Sequence, residues 1–575
     1  MASTKLDDGS AEPALTSVID KISSAPAENC GKAQEAENYG KAQEADIEDI
    51  EVEQKVDGAL ASGGEVNIWE LSNIGFILQY YAVGVIYGGL PSTVYGFFLG
   101  YLNVPGYVYA TAGVVTSLPW SFKFFFGLMN DCLPIYGYRR KPYMVLGWTM
   151  CCAVLIVLAT HEMPDPYHCR DADGNLNKHE VCNEEAKWQG GTFASLMCLA
   201  ALGYVIADVA ADGLMVEYAR REPEGKRGTT QTTVYLVRTL GSVSSVALVG
   251  FGMNGKEYNG TFDWTLSFTQ VMGIFAIPAG LMIPASWFLV QEQPIHKAER
   301  QSLRRYAAQA WELLTSKAFF FVVMYCFWEP FIGRISTTAG GLVKSEWAGV
   351  KNLQNQLFSL VSLFVFSAGL WQVKKRFLNY SWRKMLFGTA VFLNVMDACL
   401  AFLTIFDVVR NQYFYLGESI LDEIPAAANF VVGTFIIVEM ADTGNEGLTY
   451  GLLTTISNLG SPFSRAVGNQ IFGFFKPDLS DSANYEADTQ EFRNIVALSF
   501  AISYAFSFIS LLFLLLIPNQ KAEAQRRKLE WPRKSYYGGV TVALVIVALV
   551  YSVTVNFMTM IPETACSRFV GGSGC

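Results

Sequence analysis

Residues 207–221 read ADVAADGLMVEYARR, with Asp208 and Asp212 four residues apart just ahead of a run of charge. On an α-helix that spacing sets both carboxylates on one face, a turn apart. Residues 191–206 carry no charge, so a membrane helix through this stretch holds both acids inside the bilayer, towards one end. A carboxylate at such depth is costly and marks proton handling, solute contact or ion pairing. Lys123, at similar depth in another apolar stretch, is the expected partner of Asp208, and the bland reading is a structural pair that neutralises two charges. Asp212, nearer the interface, reads as a latch or capping group.

Other ionisable groups in apolar stretches widen the candidate set. Arg238 falls within 229–252, Glu329 and Arg334 within 318–340, and Glu418, Asp422 and Glu423 within 412–438. Asp422 is the candidate proton site of that last group, whereas Asp397 reads as structural. Tyr80, Tyr81 and Trp328 could stack on a flat solute, although packing is the default for aromatics in so aromatic a chain. The four histidines all fall in loops and the cysteines show no zinc spacing, so neither a metal, a cofactor nor enzyme chemistry is expected.

Composition sets the framework around these groups. Of 575 residues 51% are hydrophobic and only 16% charged, against about 25% charged in soluble domains. Windows of roughly 20 apolar residues fall at 74–98, 106–128, 142–160, 191–214, 229–252, 266–289, 318–340, 353–372, 385–406, 412–438, 447–473, 495–517 and 538–559. The chain is therefore expected to be an all-α polytopic membrane protein with thirteen spans. Residues 1–71 read as a disordered acidic tail with a tandem nonapeptide, AENCGKAQE then AENYGKAQE. It holds no arginine and no short apolar core, so neither a transit nor a signal peptide is expected.

Loop charge assigns the sides. Alternate loops hold 23 Lys and Arg, the opposite loops and C-terminal tail only 10, and the basic side is expected to be cytosolic. That places the N-terminus in the cytosol and the C-terminus outside. Cys169 with Cys182, and Cys566 with Cys575, then lie outside, as disulfide candidates suit an oxidising compartment. The sequon at Asn259 is outside too and is the glycosylation candidate; that at Asn379 is expected to be cytosolic and unmodified. A basic linker, 291–317, divides six spans (72–290) from six more (318–518), the layout of carriers that rock about a midplane site. A basic loop, the thirteenth span and a short tail make up 519–575.

Three blocks carry a resemblance. Gly127, Asp131, Gly137, Arg139 and Arg140 resemble a stretched form of the GxxxD…GxRR loop of the major facilitator superfamily. More finely, Ser117-x-Pro119-Trp120-x-x-Lys123, then Asp131-x-x-Pro134-x-x-Gly137-x-Arg139-Arg140-x-Pro142-Tyr143, then Ala207-Asp208-x-x-x-Asp212-Gly213-x-x-Val216-Glu217-x-Ala219-Arg220 look like the folate–biopterin transporter family. Gly444-x-Glu446-Gly447, running into Ser457-Asn458-Leu459-Gly460, is similar to a later block of that family, with Asp442-Thr443 where the family often has cysteine and proline. The resemblance spans residues 72–517 and omits the acidic tail and the thirteenth span.

The resemblance implies a major facilitator fold of six plus six helices, to which the hydropathy of 538–559 adds one extra C-terminal transmembrane helix. It also implies a proton-coupled secondary carrier of folates or pterins; separately, a monomer in the lipid bilayer of the plasma membrane or an endomembrane, with no nucleic-acid partner, is expected. Glu329 and Arg334 would contact solute, because spans one, four, seven and ten line the cavity in that superfamily. Asp131, Arg139, Arg140, Asp212, Glu217, Arg220, Glu446 and Arg465 would form a cytosolic latch, with Arg465 a partner for Asp131. A pterin has a guanidine-like edge that a carboxylate can bind through two hydrogen bonds and a flat face that stacks on aromatics, and a folate's glutamate tail needs Arg or Lys. A carrier of another small solute, such as a nucleoside-like sulfonium compound or a sugar, and a non-transporting sensor are the alternatives.

Overall fold

The computed structural model describes residues 64–171, 176–223, 229–294, 302–377, 380–440 and 446–574. The tandem nonapeptide, most of the acidic tail, Asn379 and part of the linker lie outside these residues. The chain separates into two compact units, 1–66 with 220–227 and 67–219 with 228–575. The second unit holds the helices.

In chain order these are α1 (Ile74–Val94, prolonged by a π-helical turn Tyr95–Tyr101), α2 (Gly106–Val115), α3 (Lys123–Cys132), α4 (Lys141–Thr160), α5 (Ala186–Ala219), α6 (Thr229–Gly252) and α7 (Phe268–Phe288). The basic linker forms α8 (Leu303–Leu314). Then come α9 (Lys317–Gly333), α10 (Asn352–Gln372), α11 (Trp382–Ile405), α12 (Gln412–Tyr415), α13 (Gly417–Leu421), α14 (Glu423–Met440), α15 (Glu446–Phe472) and α16 (Gln490–Ser510). After α17 (Lys521–Glu530), α18 (Ser535–Met560) runs through the last apolar window.

Among the described residues, nine helices are long and apolar enough to cross a membrane. The other four apolar windows are shorter, divided or more polar, and the residues say why. Pro119 has no backbone N–H and disfavours helix before it, so 106–128 splits into α2, a 3-10 turn (Leu118–Phe122) and α3. Helix α9 stops at Gly333, three residues past Pro330. Turns at Leu416 and Asp422 divide 412–438. Helix α15 is continuous, but threonines, serines and asparagines dilute its apolar character.

Buried apolar side chains gather in two clusters. One is drawn from residues 82–285 and joined by Met560; the other, drawn from 306–548, is joined by Tyr95 and Leu99. Helix α1 packs along α6, α4 against α5 and α7, α9 on α15, and α10 bridges α6 and α14. Where α4 crosses α5, a Cβ on Gly147 would stand 2.5 Å from the Gly203 carbonyl oxygen. Small residues let membrane helices approach this closely.

Helix α18 packs on α15, α2 and α5, and so touches helices from both sides of the basic linker. Asn556 Nδ2 donates to the carbonyl of Pro462 at 2.9 Å, and Tyr551 donates to Gln470 Oε1 at 2.8 Å. One element departs from the all-helical expectation: strands β1 (His168–Arg170) and β2 (Leu176–Val181) form an antiparallel hairpin. The Cys169–Cys182 disulfide closes it. Cys566 is also disulfide-bonded; its expected partner, Cys575, lies outside the described residues.

Candidate functional site

The break at Pro119 matters because it sets Lys123 at the start of α3. Thr455 Oγ1 of α15 accepts the Phe124 N–H at 3.0 Å, and Asn458 Nδ2 donates to the Trp120 carbonyl at 3.3 Å. Backbone groups loosened by the proline thus find partners on α15. Lys123 Nζ then lies 2.9 Å from Asp208 Oδ2 and 2.9 Å from Asp212 Oδ2, both on α5. Only the contact to Asp212 has hydrogen-bond geometry. Among the described residues, nothing donates a hydrogen bond to the two buried oxygens of Asp208. Asp208 is 0% exposed and Lys123 7%.

Aromatic rings frame this ion cluster. Tyr80 on α1 donates to Asp212 Oδ1 at 3.1 Å. The Lys123 ammonium lies 4.3 Å from the Trp120 ring, and the Arg238 guanidinium, from α6, lies 4.6 Å from the Tyr87 ring and 5.0 Å from that of Trp120. Trp120 Nε1 donates to the Tyr204 hydroxyl at 2.9 Å. Two cations and two carboxylates from α3, α5 and α6 balance one another in one place. Asp212, read from its position as a latch group, belongs to this cluster instead: the side chain of Lys123 is long enough to reach both carboxylates one turn apart. Tyr87 and Tyr204 escaped the sequence reading. Tyr80 and Tyr87 are seven residues apart, two helical turns on one face, a weak signal in a chain this aromatic. Trp328 instead stacks on Phe513 with ring centroids 6.0 Å apart, and Tyr81 donates to Ser244 Oγ.

At the basic end, Arg140 Nη2 lies 2.8 Å from Asp131 Oδ1 and 3.5 Å from Glu217 Oε1. Gly213 explains its place in the motif: a Cβ there would overlap the Arg140 guanidinium. Glu292, unremarked in the sequence, accepts the backbone N–H groups of Arg139, Arg140 and Lys141 at 2.7, 2.9 and 2.9 Å. A carboxylate at the N-terminus of α4 meets both the unpaired amides and the helix dipole. Arg220 falls in the other compact unit, and the Glu446 side chain lies outside those described.

Arg465 is not a partner of Asp131. Its Nη2 donates to Ser336 Oγ at 3.0 Å, just past α9, while Asp131 pairs with Arg140. The reason is position along α15: Arg465 is seven residues beyond Asn458, already level with the Trp120 carbonyl, and so points away from the basic end. Glu329 and Arg334 are not joined by an ion pair among the described residues, and Arg334 is exposed at the end of α9. Asp422 is exposed at the turn between α13 and α14, and Asp397 accepts the Tyr504 hydroxyl at 2.9 Å.

The end that carries the disulfide-closed hairpin joins the two halves of the chain. Tyr95 donates to the Val350 carbonyl at 2.7 Å, Asn352 Nδ2 to the Met253 carbonyl at 2.8 Å, and Gln356 Nε2 to the Ser92 carbonyl at 2.9 Å. Lys351 Nζ donates to Asn259 Oδ1 at 2.8 Å. The sequon asparagine is therefore a cross-contact in this state and not a free loop side chain.

A model of the BT1 family matches residues 84–165 and 187–531. Over 422 residues the chain is 23% identical to a folate-biopterin transporter of Synechocystis sp., covering 71% of this chain and 75% of that one. Among solved structures it is similar to a D-xylose-proton symporter, with a TM-score of 0.54 and 11% identity over 78% of this chain and 97% of that one. It is also similar to the nucleoside transporter NupG, with a TM-score of 0.53 and 11% identity over 77% and 99%. At such identity these two structures speak for the fold, which is of the major facilitator type.

Proposed function

The chain belongs to the BT1 family, and from that premise we propose that it carries a folate- or pterin-type solute across a membrane by alternating access, coupled to protons. The observation that carries this reading is Asp208, buried beside Lys123 with neither oxygen hydrogen-bonded. A pterin supplies what that carboxylate lacks, an edge of parallel N–H donors, and its flat face suits the rings of Tyr87 and Trp120. The Synechocystis relative, named a folate-biopterin transporter, favours the same solute class.

Coupling is read from the same place: Asp208 and Asp212 both meet the Lys123 ammonium, with the Arg238 guanidinium beside them, so a proton arriving at one carboxylate leaves the other with Lys123 as its partner. The loop charge and the cysteines support placing the basic end in the cytosol, with the N-terminus there and the C-terminal tail outside. On that reading the hydrogen bonds of Tyr95, Lys351, Asn352 and Gln356 close the exterior side. On this reading the monomer is the working unit.

The test is uptake of labelled folate by cells expressing the full chain, with biopterin or unrelated organic anions in excess, and with a protonophore. Uptake is expected to be concentrative, to be competed by biopterin alone and to collapse with the proton gradient. Absence of folate uptake would remove the solute assignment. Uptake indifferent to the protonophore would remove the proton.

A further inference from the structure

Arg465 lies on α15 beside Ser336, which follows α9, with the phenol of Tyr109 on α2 within its field. Only Nη2 has an acceptor, the Ser336 hydroxyl; Nε and Nη1 are buried with none. No carboxylate among the described residues forms an ion pair with it. The contrast with the other cations set among these helices is sharp: Lys123 has two carboxylates, Arg140 has Asp131 and Glu217, and Arg238 lies against two aromatic rings. A half-buried guanidinium whose Nε and Nη1 are shut off from solvent and idle, with no counter-charge beside it, is a costly group for a membrane protein to keep. Its planar fork matches a carboxylate through two parallel N–H···O bonds.

Resting on the carrier reading above, we propose that Arg465 receives a carboxylate of the transported solute, so that the site selects anionic, glutamate-bearing pterins over neutral ones. The counter-charge that no described residue supplies is then brought by the cargo. Position supports this assignment. Asn458 touches the Trp120 carbonyl beside the Lys123 cluster, and Arg465 stands seven residues farther along α15, about 10 Å at the helical rise. That separation is comparable to the aminobenzoyl spacer between a folate's ring and its glutamate. A ring held at Asp208 and Trp120 and a carboxylate held at Arg465 would engage α5, the 3-10 turn Leu118–Phe122 and α15 together.

The test compares folate with its diamide, which replaces both carboxylates by neutral carboxamides, using binding to the purified full chain and to Arg465→Gln and Arg465→Lys. The unaltered chain is expected to prefer folate by about 10- to 100-fold, the range of a charge-assisted hydrogen-bonded pair. Arg465→Gln should bring that ratio close to one while leaving diamide affinity unchanged, which also shows that the variant folds. Arg465→Lys should fall between, because it keeps the charge but not the fork. The proposal is overturned if Arg465→Gln keeps the full preference, if it loses both ligands alike, or if the unaltered chain binds the diamide as well as folate. Binding of neither ligand by the unaltered chain would instead remove the solute assignment itself, and this proposal with it.

Discussion

Lys123 Nζ stands 2.9 Å from Asp212 Oδ2, although 89 residues separate the two in sequence. With Asp208 at the same distance, one ammonium holds two carboxylates on adjacent turns of α5. Removing it leaves two like charges facing each other in a dry setting.

Lys123→Ala is therefore expected to destabilise the chain by about 3–5 kcal/mol, the range for orphaning a buried charge. Lys123→Ala combined with Asp208→Asn should recover part of that loss, because one stranded charge is gone. Thermal unfolding in detergent, followed by size-exclusion recovery, reads both. Equal losses in the single and double variants would argue against the ion cluster.

The cross-contacts at the disulfide-bearing end make a second expectation. Asn352→Ala removes the donors to the Met253 and Val249 carbonyls, and Lys351→Ala removes the contact to Asn259. Together they should loosen the closure and shift the chain towards a state open at that end. A cysteine placed at Ser345, in the cleft lined by Tyr95, Asn259 and Val350, should then react several-fold faster with an impermeant maleimide. The same chain without that cysteine gives the background.

A third expectation concerns the last helix. A Cβ on Gly191 of α5 would overlap the Met560 carbonyl at the end of α18, whereas one on Gly113 of α2 meets nothing within 4 Å. Gly191→Ala should lower stability by about 1–3 kcal/mol through overpacking, and Gly113→Ala should be neutral or better. If the two melt alike, α18 does not press on α5 as described.

A fourth follows from Asp488, in the loop before α16. Burial alone would raise its proton affinity, but hydrogen bonds from Arg410 and Arg493 hold its carboxyl down to about 2. Because the folded value lies below that of an unfolded aspartate, about 3.9, its contribution is complete above that pH and is lost as pH falls towards 2. The group is partly solvated, so the effect is about 1 kcal/mol or less. Asp488→Asn should lower the melting temperature at pH 7, and the gap from the unaltered chain should close on acidification. A gap that widens in acid would reverse the assignment.

Several features were legible in the residues alone. Helix occupies most of the thirteen apolar windows, the structure in which a backbone surrounded by lipid satisfies itself, and among the described residues nine of them are long and apolar enough to cross a membrane. The pairing of Lys123 with Asp208 followed from depth, and the Cys169–Cys182 link from loop sidedness. The break at Pro119 was written in the chain but hidden by a hydropathy window, which averages over a single missing N–H.

What only the tertiary structure decided is which residues face one another. Depth along a helix is a local property, readable by counting from each end. Rotation about the helix axis is not, since it depends on which neighbours pack against it from far away in sequence. Hence Asp212, a latch group by depth alone, meets Lys123, and Arg465, expected at Asp131, turns to Ser336. Glu292 went unremarked because its role exists only once the end of α7 is brought to the start of α4. Apolar periodicity says that a charge must find company within the bundle; helix packing chooses the company, and for Arg465 it chooses the Ser336 hydroxyl.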